Sequence, residues 1–352
     1  MKSNARVSVI IVNLNGRGHL PECLESLMAT EAGKQEIVLV DNGSLDDSCS
    51  YVTDTYPHVK LISLSRNHGF AEANNIGASA AAGAYLVFLN NDTAVTPGWL
   101  DPLLSVLVLH PRIGVAGSKL LFYGMRERVN SAGADLMFSG GGYDVGFMDF
   151  DSTRYNSPAL KGAVCGAAMM VRKAEFLSLG GFDPRYFMYF EDVDLCWRYW
   201  LKGYLVAYLP SSVVYHKFGG SAGSTRDSPL RVFYGTRNSL LNVLKNRETR
   251  HLPVSLLFNF AHHALKCLGF VVSGRLGLAA GMVRAYRAWL RLVPEALRKR
   301  KAIQGARVVS DRFLMESGLM VSLSGALREY LRLQRSRMPA GTSNARSSRF
   351  CR

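Results

Sequence analysis

Four short apolar runs, each followed by polar residues, with helix-like stretches among them, constrain this chain more than any other feature. Val7 to Val12 leads into Asn13-Leu14-Asn15-Gly16, and Glu36 to Val40 stops at Asp41-Asn42-Gly43-Ser44. Val59 to Leu64 is the third run, and Tyr85 to Leu89 stops at Asn90-Asn91-Asp92. Short apolar runs bounded by turn formers predict buried strands. Helical spacing covers about Leu20 to Met28 and Ala71 to Ala82. Strands alternating with helices predict βαβ units, hence an α/β fold with a mostly parallel central sheet. Such sheets bind ligands at the carboxyl ends of their strands, where the polar clusters fall. This part of the chain reads as a nucleotide-binding half.

Further along, residues 124–160 are rich in Gly, Asp, Ser and aromatics, including Ser139-Gly140-Gly141-Gly142-Tyr143, and predict an irregular insertion. Val164 to Arg172 predicts a strand, Asp192 to Leu201 a helix, and Val213 to Tyr215 a short strand before His216. After about Asp227 the composition turns to Leu, Ala and Arg in helical spacing, and from about Pro339 to Ser, Arg and Ala, the composition of a disordered tail. The expected division is a catalytic domain over 1–250, a helical region over 251–338 and a tail over 339–352.

Charge divides along similar lines. Residues 1–225 hold 18 Lys/Arg against 21 Asp/Glu, net −3, whereas residues 226–352 hold 24 against 6, net +18. A polyanionic partner therefore belongs to the C-terminal third. The polar start, Met1 to Arg6, leads into a strand with no apolar leader, so a secretory signal is not expected. Six scattered cysteines without a CxxC pair fit a reducing compartment, and no zinc ribbon or disulfide framework is readable.

Five clusters carry candidate chemistry. Asn13 with Asn15, and Asp41, follow the first two strands; a carboxylate there can accept from a pyrimidine N3–H, or simply cap a turn. In Arg66-Asn67-His68-Gly69-Phe70-Ala71, with Asn75-Ile76-Gly77 beyond, Gly69 permits close backbone approach and a helix start suits phosphate or ribose. The bland reading is a tight connection capped by Asn67. Asn90-Asn91-Asp92 offers one carboxylate beside amides, enough for a hard divalent cation that also takes diphosphate oxygens; the alternative is a turn in which Asp92 caps a helix. The fifth cluster is the most specific. Glu191, Asp192 and Asp194 sit among Phe187, Tyr189, Phe190 and Trp197. Carboxylates against aromatic walls have raised pKa values and suit a general base, although capping or pairing with Arg198 at i,i+4 remains open.

The order of these clusters resembles family-two glycosyltransferases of the GT-A fold, nearest to the rhamnosyltransferase and galactofuranosyltransferase branch. The resemblance covers about residues 7–245. It implies inverting transfer of a sugar from a dTDP- or UDP-sugar to a hydroxyl acceptor, with Asp41 on the base, Asp92 on Mg²⁺ or Mn²⁺, and Asp192 deprotonating the acceptor. It also implies donor contacts from Asn13, Arg66, Asn67, Gly69, Asn75 and Asn91, a late metal ligand at His216, and Arg237 near the diphosphate. Many relatives carry Asp-x-Asp at the metal motif, whereas Asn90 stands first here, which implies weaker metal affinity.

Leu252 to Val272 has transmembrane length, but His262, His263 and Lys266 near its middle oppose a span. Arg275 to Val293 carries Arg284, Arg287 and Arg291 on one face, with Met282, Val283, Tyr286, Trp289 and Leu290 filling much of the rest. That pattern predicts an interfacial helix on an anionic membrane, with Arg298-Lys299-Arg300-Lys301 as a further lipid contact; a helix docked on the catalytic domain is the alternative. The expected setting is cytoplasmic, peripheral on the inner face of the cell membrane, near a saccharide or lipid-linked acceptor. A nucleic-acid binder, suggested by pI 9.7, does not fit positive charge interleaved with Leu and Trp. A dinucleotide oxidoreductase would need GxGxxG after the first strand, and Asn13-Leu14-Asn15-Gly16-Arg17-Gly18 lacks it. The alternative is a non-catalytic glycosyltransferase-like binding partner in a membrane assembly, and the retained Asp92, Asp192 and His216 argue against it.

Overall fold

Side chains alternating along the first strands separate into two cores, one on each face of a sheet. In β1 (Val7–Asn13), Ile10 faces one core while Val9 and Ile11 face the other. The same division holds for Val38 and Leu39 in β2 (Gln35–Asp41). β3 (Lys60–Ser63) and β4 (Tyr85–Asn90) extend the sheet, and β5 (Thr93–Val95) follows at once. The computed structural model describes residues 7–31, 35–218 and 227–321, with Gly325; the tail expected beyond 338 lies outside them.

Next come β6 (Ile113–Phe122), buried throughout, β7 (Met125–Ser131), β8 (Ala134–Met137), β9 (Gly142–Asp144), β10 (Ala159–Leu160), β11 (Ala168–Arg172) and β12 (Leu205–His216). The main sheet runs β10-β12-β6-β11-β4-β1-β2-β3, with β5 on β12 and β7 on β6. β1 is parallel to β2 and β4, β2 to β3, and β6 to β12; β11 is antiparallel to both β4 and β6. Register sets Asn13 opposite Asp41 and Val12 opposite Asn90, so three polar strand ends meet at one edge. α1 (Leu20–Glu31), α2 (Ser48–Thr55) and α4 (Leu100–Leu109) contribute to one core; α3 (Phe70–Ala80), α5 (Lys173–Ser178) and α6 (Glu191–Leu201) contribute to the other.

Two expectations fail here. Residues 124–160 are not irregular: they contain four strands, of which β8 and β9 form a hairpin. β13 (Met320–Val321) pairs parallel with β8, completing a separate three-stranded sheet. These strands are too short and too broken by glycine to show a hydrophobic period. The strand expected at Val213–Tyr215 starts at Leu205; Pro210-Ser211-Ser212 interrupts its pattern, and the register shifts between Leu209 and Val213.

The C-terminal helices are α7 (Pro229–Asn246), α8 (Leu252–Val272), α9 (Leu276–Gly305) and α10 (Asp311–Glu316). α9 lies along α7, with Trp289 and Ala296 packed among Tyr186, Leu240, Leu241 and Leu244. Met282 and Ala279 join Val232 and Phe270. Trp289 and Met282, expected on a lipid face, are thus inside the protein. An apolar stripe at i, i+3, i+4 satisfies a neighbouring helix as well as a bilayer, so sequence alone does not choose. Of the basic run, Lys299 pairs with Asp183 (2.7 Å) and Glu295 (2.8 Å), while Arg300 donates to the carbonyls of Leu244 and Arg247. Arg298 and Lys301 remain exposed.

Candidate active site

The three strand ends are stitched by side chains. Asn91 Nδ2 donates to Asn13 Oδ1 (2.8 Å), and Asn13 Nδ2 donates to Asp41 Oδ1 (3.1 Å). Asp41 also accepts from the Ser44 amide (2.9 Å) and hydroxyl (2.6 Å). A Cβ on Gly16 would stand 2.2 Å from Asn91 Nδ2, so only glycine lets the β1–α1 loop cross this pair. Asp41 is buried, and three of the roughly four acceptor positions of a carboxylate are filled by protein donors, with the Cys49 thiol close by.

The Arg66–Ala71 stretch is arranged differently from the expectation. Gly69, at φ 83°, does let a backbone come close, but that backbone is Phe187. The Phe187 carbonyl accepts from the amides of Phe70 (2.6 Å) and Ala71 (3.2 Å), so it caps α3 where a phosphate was expected. Asn67 Oδ1 accepts from Asn42 Nδ2 and the Gly69 amide, and Arg66 is exposed beside them. Asn75 brackets Phe182 through its amide and carbonyl (3.0 and 2.8 Å). The side chains of Asn67 and Asn75 are thus engaged by neighbouring protein groups.

Phe187, Tyr189 and Phe190 all have positive φ (64°, 67° and 67°). Non-glycine residues in this region carry strain that the surroundings must hold, commonly near functional sites. Asn238 holds it here, its Nδ2 lying 2.7–3.0 Å from the carbonyls of Tyr186, Met188 and Tyr189. Arg237, expected near a diphosphate, donates instead to Arg185 and Tyr186 carbonyls and to Asn238 Oδ1.

The strained turn delivers three carboxylates to the start of α6, each with a different fate. Asp194 is fully buried and bonded by Arg198 (2.8 Å), Lys245 (2.9 Å) and Asn246 (2.9 Å); the two cations hold its pKa below the usual range. Glu191 is buried, its Oε2 meets no partner among the described residues, and burial drives its pKa well up. Asp192 is partly exposed and accepts from the amides of Gly166 (2.8 Å) and Val193 (2.7 Å), with its pKa raised chiefly by burial. Of the three, only Asp192 is partly exposed.

His216 ends β12 opposite Thr93. With Asn130 Oδ1 accepting from Nδ1 (2.8 Å), Nε2 lies 3.3 Å from Asp92 Oδ1 and 3.5 Å from Asn90 Nδ2. Two acceptors turned toward one another are a fit place for a divalent cation, and Asn130 fixes the ring as outer partners of metal-bound histidines do. A second cluster, Glu248, His251 and Asp311, has ligand atoms within 4.8 Å of each other, but Asp311 already pairs with Arg247 (3.2 Å) and Arg307 (3.1 Å).

One residue escaped the sequence reading. Asp144 shares a strand face with Gly142, whose added Cβ would meet Val193 at 2.7 Å, so β9 turns Asp144 toward the first turn of α6. Its hydroxyl partner is Ser131, its charge couples to Asp192, Arg231 and His216, and burial raises its pKa to about 6. Its place in an apparently irregular segment hid it.

The family model described as Glycosyl transferase family 2 matches residues 8–178. The N-acetylglucosaminyl-diphospho-decaprenol L-rhamnosyltransferase of Mycobacterium tuberculosis is 30% identical over 236 residues, 61% of this chain and 77% of that protein. The chain belongs to glycosyltransferase family 2. Among solved structures, this glycosyltransferase resembles GalNAc-T7 with UDP, GalNAc and Mn²⁺ (TM-score 0.58, 21% identity), over 70% of this chain and 48% of that one. It also resembles S. aureus TarS residues 1–349 with UDP (TM-score 0.54, 18% identity), over 96% and 94%. These likenesses give the GT-A fold. The rival reading as an oxidoreductase ends here.

Proposed function

We propose that the enzyme is an inverting rhamnosyltransferase that uses dTDP-rhamnose and a lipid-linked saccharide acceptor at the inner face of the cell membrane, in cell-envelope polysaccharide synthesis. The observation that supports the chemistry is the sorting of the acidic cluster, in which Asp192 is the partly exposed carboxylate. The sugar and acceptor classes draw support from the mycobacterial relative's name. Asp192 takes the acceptor hydroxyl proton while that oxygen bonds to the anomeric carbon, and the carbon–oxygen bond to the nucleoside diphosphate breaks. Attack opposite the leaving group inverts the centre. Asp92 and His216 would hold Mn²⁺ or Mg²⁺, which when bound offsets the charge left on the diphosphate. Asn13, Asn91 and Asp41 would orient the nucleoside end of the donor. The test measures nucleotide release from dTDP-rhamnose, UDP-galactofuranose and UDP-hexoses, with Mn²⁺ and a short polyprenyl-diphospho-N-acetylglucosamine. Preference for dTDP-rhamnose, stimulated by that acceptor, is expected. Preference for a UDP-sugar overturns the donor assignment, and failure of the acceptor to stimulate overturns the acceptor class.

A further inference from the structure

α8 is the structural oddity of the C-terminal third. Its inner side is fixed to the domain: Asn259 Nδ2 donates to the Ser139 carbonyl (3.0 Å), Phe258 packs on Phe138 (4.6 Å between rings), and His263 Nδ1 meets Tyr286 Oη (2.9 Å). These contacts lay one flank of the helix against the domain. Among the described residues nothing covers its outer side. Val254, Leu257, Leu265, Leu268 and Val272 are 58, 70, 70, 58 and 80% exposed. They recur at helical spacing along 21 residues, about 31 Å of helix. A continuous exposed apolar stripe of this length marks an interaction surface, unlike scattered single leucines.

Charge indicates what covers it. The stripe carries one formal charge, Lys266, which sits 3.8 Å from Asp227. On the adjoining helix α9, Arg284, Arg287 and Arg291 are exposed, and Glu295 is its only acid. An apolar band bordered by arginines matches an anionic lipid interface: hydrocarbon receives the leucines and headgroups receive the guanidinium groups.

The stripe also leads toward the chemistry. Its C-terminal end is tied to the start of α7, where Asp227 takes Arg275 (2.8 Å) as well as Lys266. One turn into α7, Arg231 stands over the rings of Tyr189 (5.2 Å) and Phe218 (5.5 Å), beside the base and the metal-ligand candidates. We propose that the outer face of α8 is a membrane seat, pressed into the headgroup–acyl boundary of an anionic bilayer and flanked by the arginines of α9. It lays the acceptor side of the active site against the lipid surface. This deepens the lipid-linked acceptor reading and rests on it for its purpose, but its test does not use turnover.

The full chain is sedimented with vesicles of phosphatidylcholine alone and of phosphatidylcholine with phosphatidylglycerol in equal parts, at low and high salt. Strong binding to the anionic vesicles is expected, weak binding to the neutral ones, and retention of part of the bound protein at high salt. The triple variant Leu257→Gln/Leu265→Gln/Leu268→Gln, at exposed positions and checked by circular dichroism, should bind at least about tenfold more weakly to both. Arg284→Gln/Arg287→Gln/Arg291→Gln should lose mainly the salt-sensitive part. A full chain that ignores anionic vesicles, or a leucine triple that binds them as well as the parent, overturns the seat. So does a parent dimer, seen by sedimentation velocity, that the leucine triple converts to monomer, because the stripe would then cover a second copy. A chain that seats on vesicles yet prefers a UDP-sugar keeps this inference and loses the donor assignment.

Discussion

Gly69→Ala tests how the base is held. Gly69 sits at φ 83° and ψ 167°, a region open essentially to glycine alone, and alanine there costs about 1–3 kcal/mol in backbone strain. The new Cβ would also lie 2.5 Å from Phe187 Cδ2 and 2.7 Å from the Phe187 carbonyl oxygen. That carbonyl cannot retreat freely, because it caps α3 through two amides. Overpacking of this kind costs about 1–3 kcal/mol. Since the two effects share one relief movement, the expected total is about 3–5 kcal/mol, a large part of the ~5–15 kcal/mol that stabilises an ordinary domain. The movement passes into the turn that places Asp192, so kcat should fall at least about tenfold while donor affinity changes little. Urea unfolding followed by circular dichroism gives the first quantity; single-turnover nucleotide release and donor titration give the second. Gly98→Ala is the control, since Gly98 also has positive φ (73°) but a Cβ there meets nothing within 4 Å, and it should cost only about 1 kcal/mol. A Gly69→Ala protein within about 1 kcal/mol of the parent and fully active would refute the coupling between α3 and the base.

Asp192→Asn keeps an oxygen for the Gly166 amide but cannot take a proton, so turnover should drop by roughly 10²-fold or more with donor binding preserved in titrations. Because the raised pKa of Asp192 must be passed before it ionises, kcat/KM measured against pH should lose activity on the acid side above the usual aspartate value of 3.8. His216→Ala removes the imidazole facing Asp92 and should raise the Mn²⁺ concentration required by roughly tenfold or more, read both in turnover and in direct metal titration; unchanged metal affinity would move the cation elsewhere. Asp144 keeps its proton up to about pH 6 when folded, against 3.8 for a free aspartate, so its contribution to stability is present below 3.8 and lost as pH rises through about 6. Asp144→Asn should therefore gain stability relative to the parent between pH 4 and pH 7, which denaturant midpoints at the two values will show.

The nucleotide-binding half was legible because its strands are buried on both faces and end in polar clusters, a pattern that survives without any structure. Asn13, Asp41 and Asn91 were legible as a group for the same reason, although only the register shows that they bond to one another. The α6 cluster was legible as chemistry, and so was the Arg198 pairing within the helix, but the ranking of Glu191, Asp192 and Asp194 also depends on Lys245 and Gly166, which come from other places in the chain. Gly69 and Arg237 illustrate a harder limit. A glycine before a helix and an arginine on a helix look alike whether they meet a phosphate or a backbone carbonyl, and here the carbonyls belong to Phe187, Arg185 and Tyr186. In the C-terminal third, the spacing of Trp289 and Met282 showed a buried stripe without showing what buries it.

The parallel pairing of β13 with β8, and the bond from Lys299 to Asp183, bear on how the enzyme comes into being during synthesis. A chain made from its N-terminus exposes Leu136 and Asp183 long before Met320 and Lys299 exist. Until α9 arrives, Tyr186, Leu240, Leu241 and Leu244 present an open apolar flank directly beneath the turn that carries the base. Contacts this distant in sequence close late and slowly, and partly folded chains with such flanks tend to associate. The site is therefore finished only once α9 has been made, and a nascent chain stalled before α9 lacks the packing that seats the turn before Asp192.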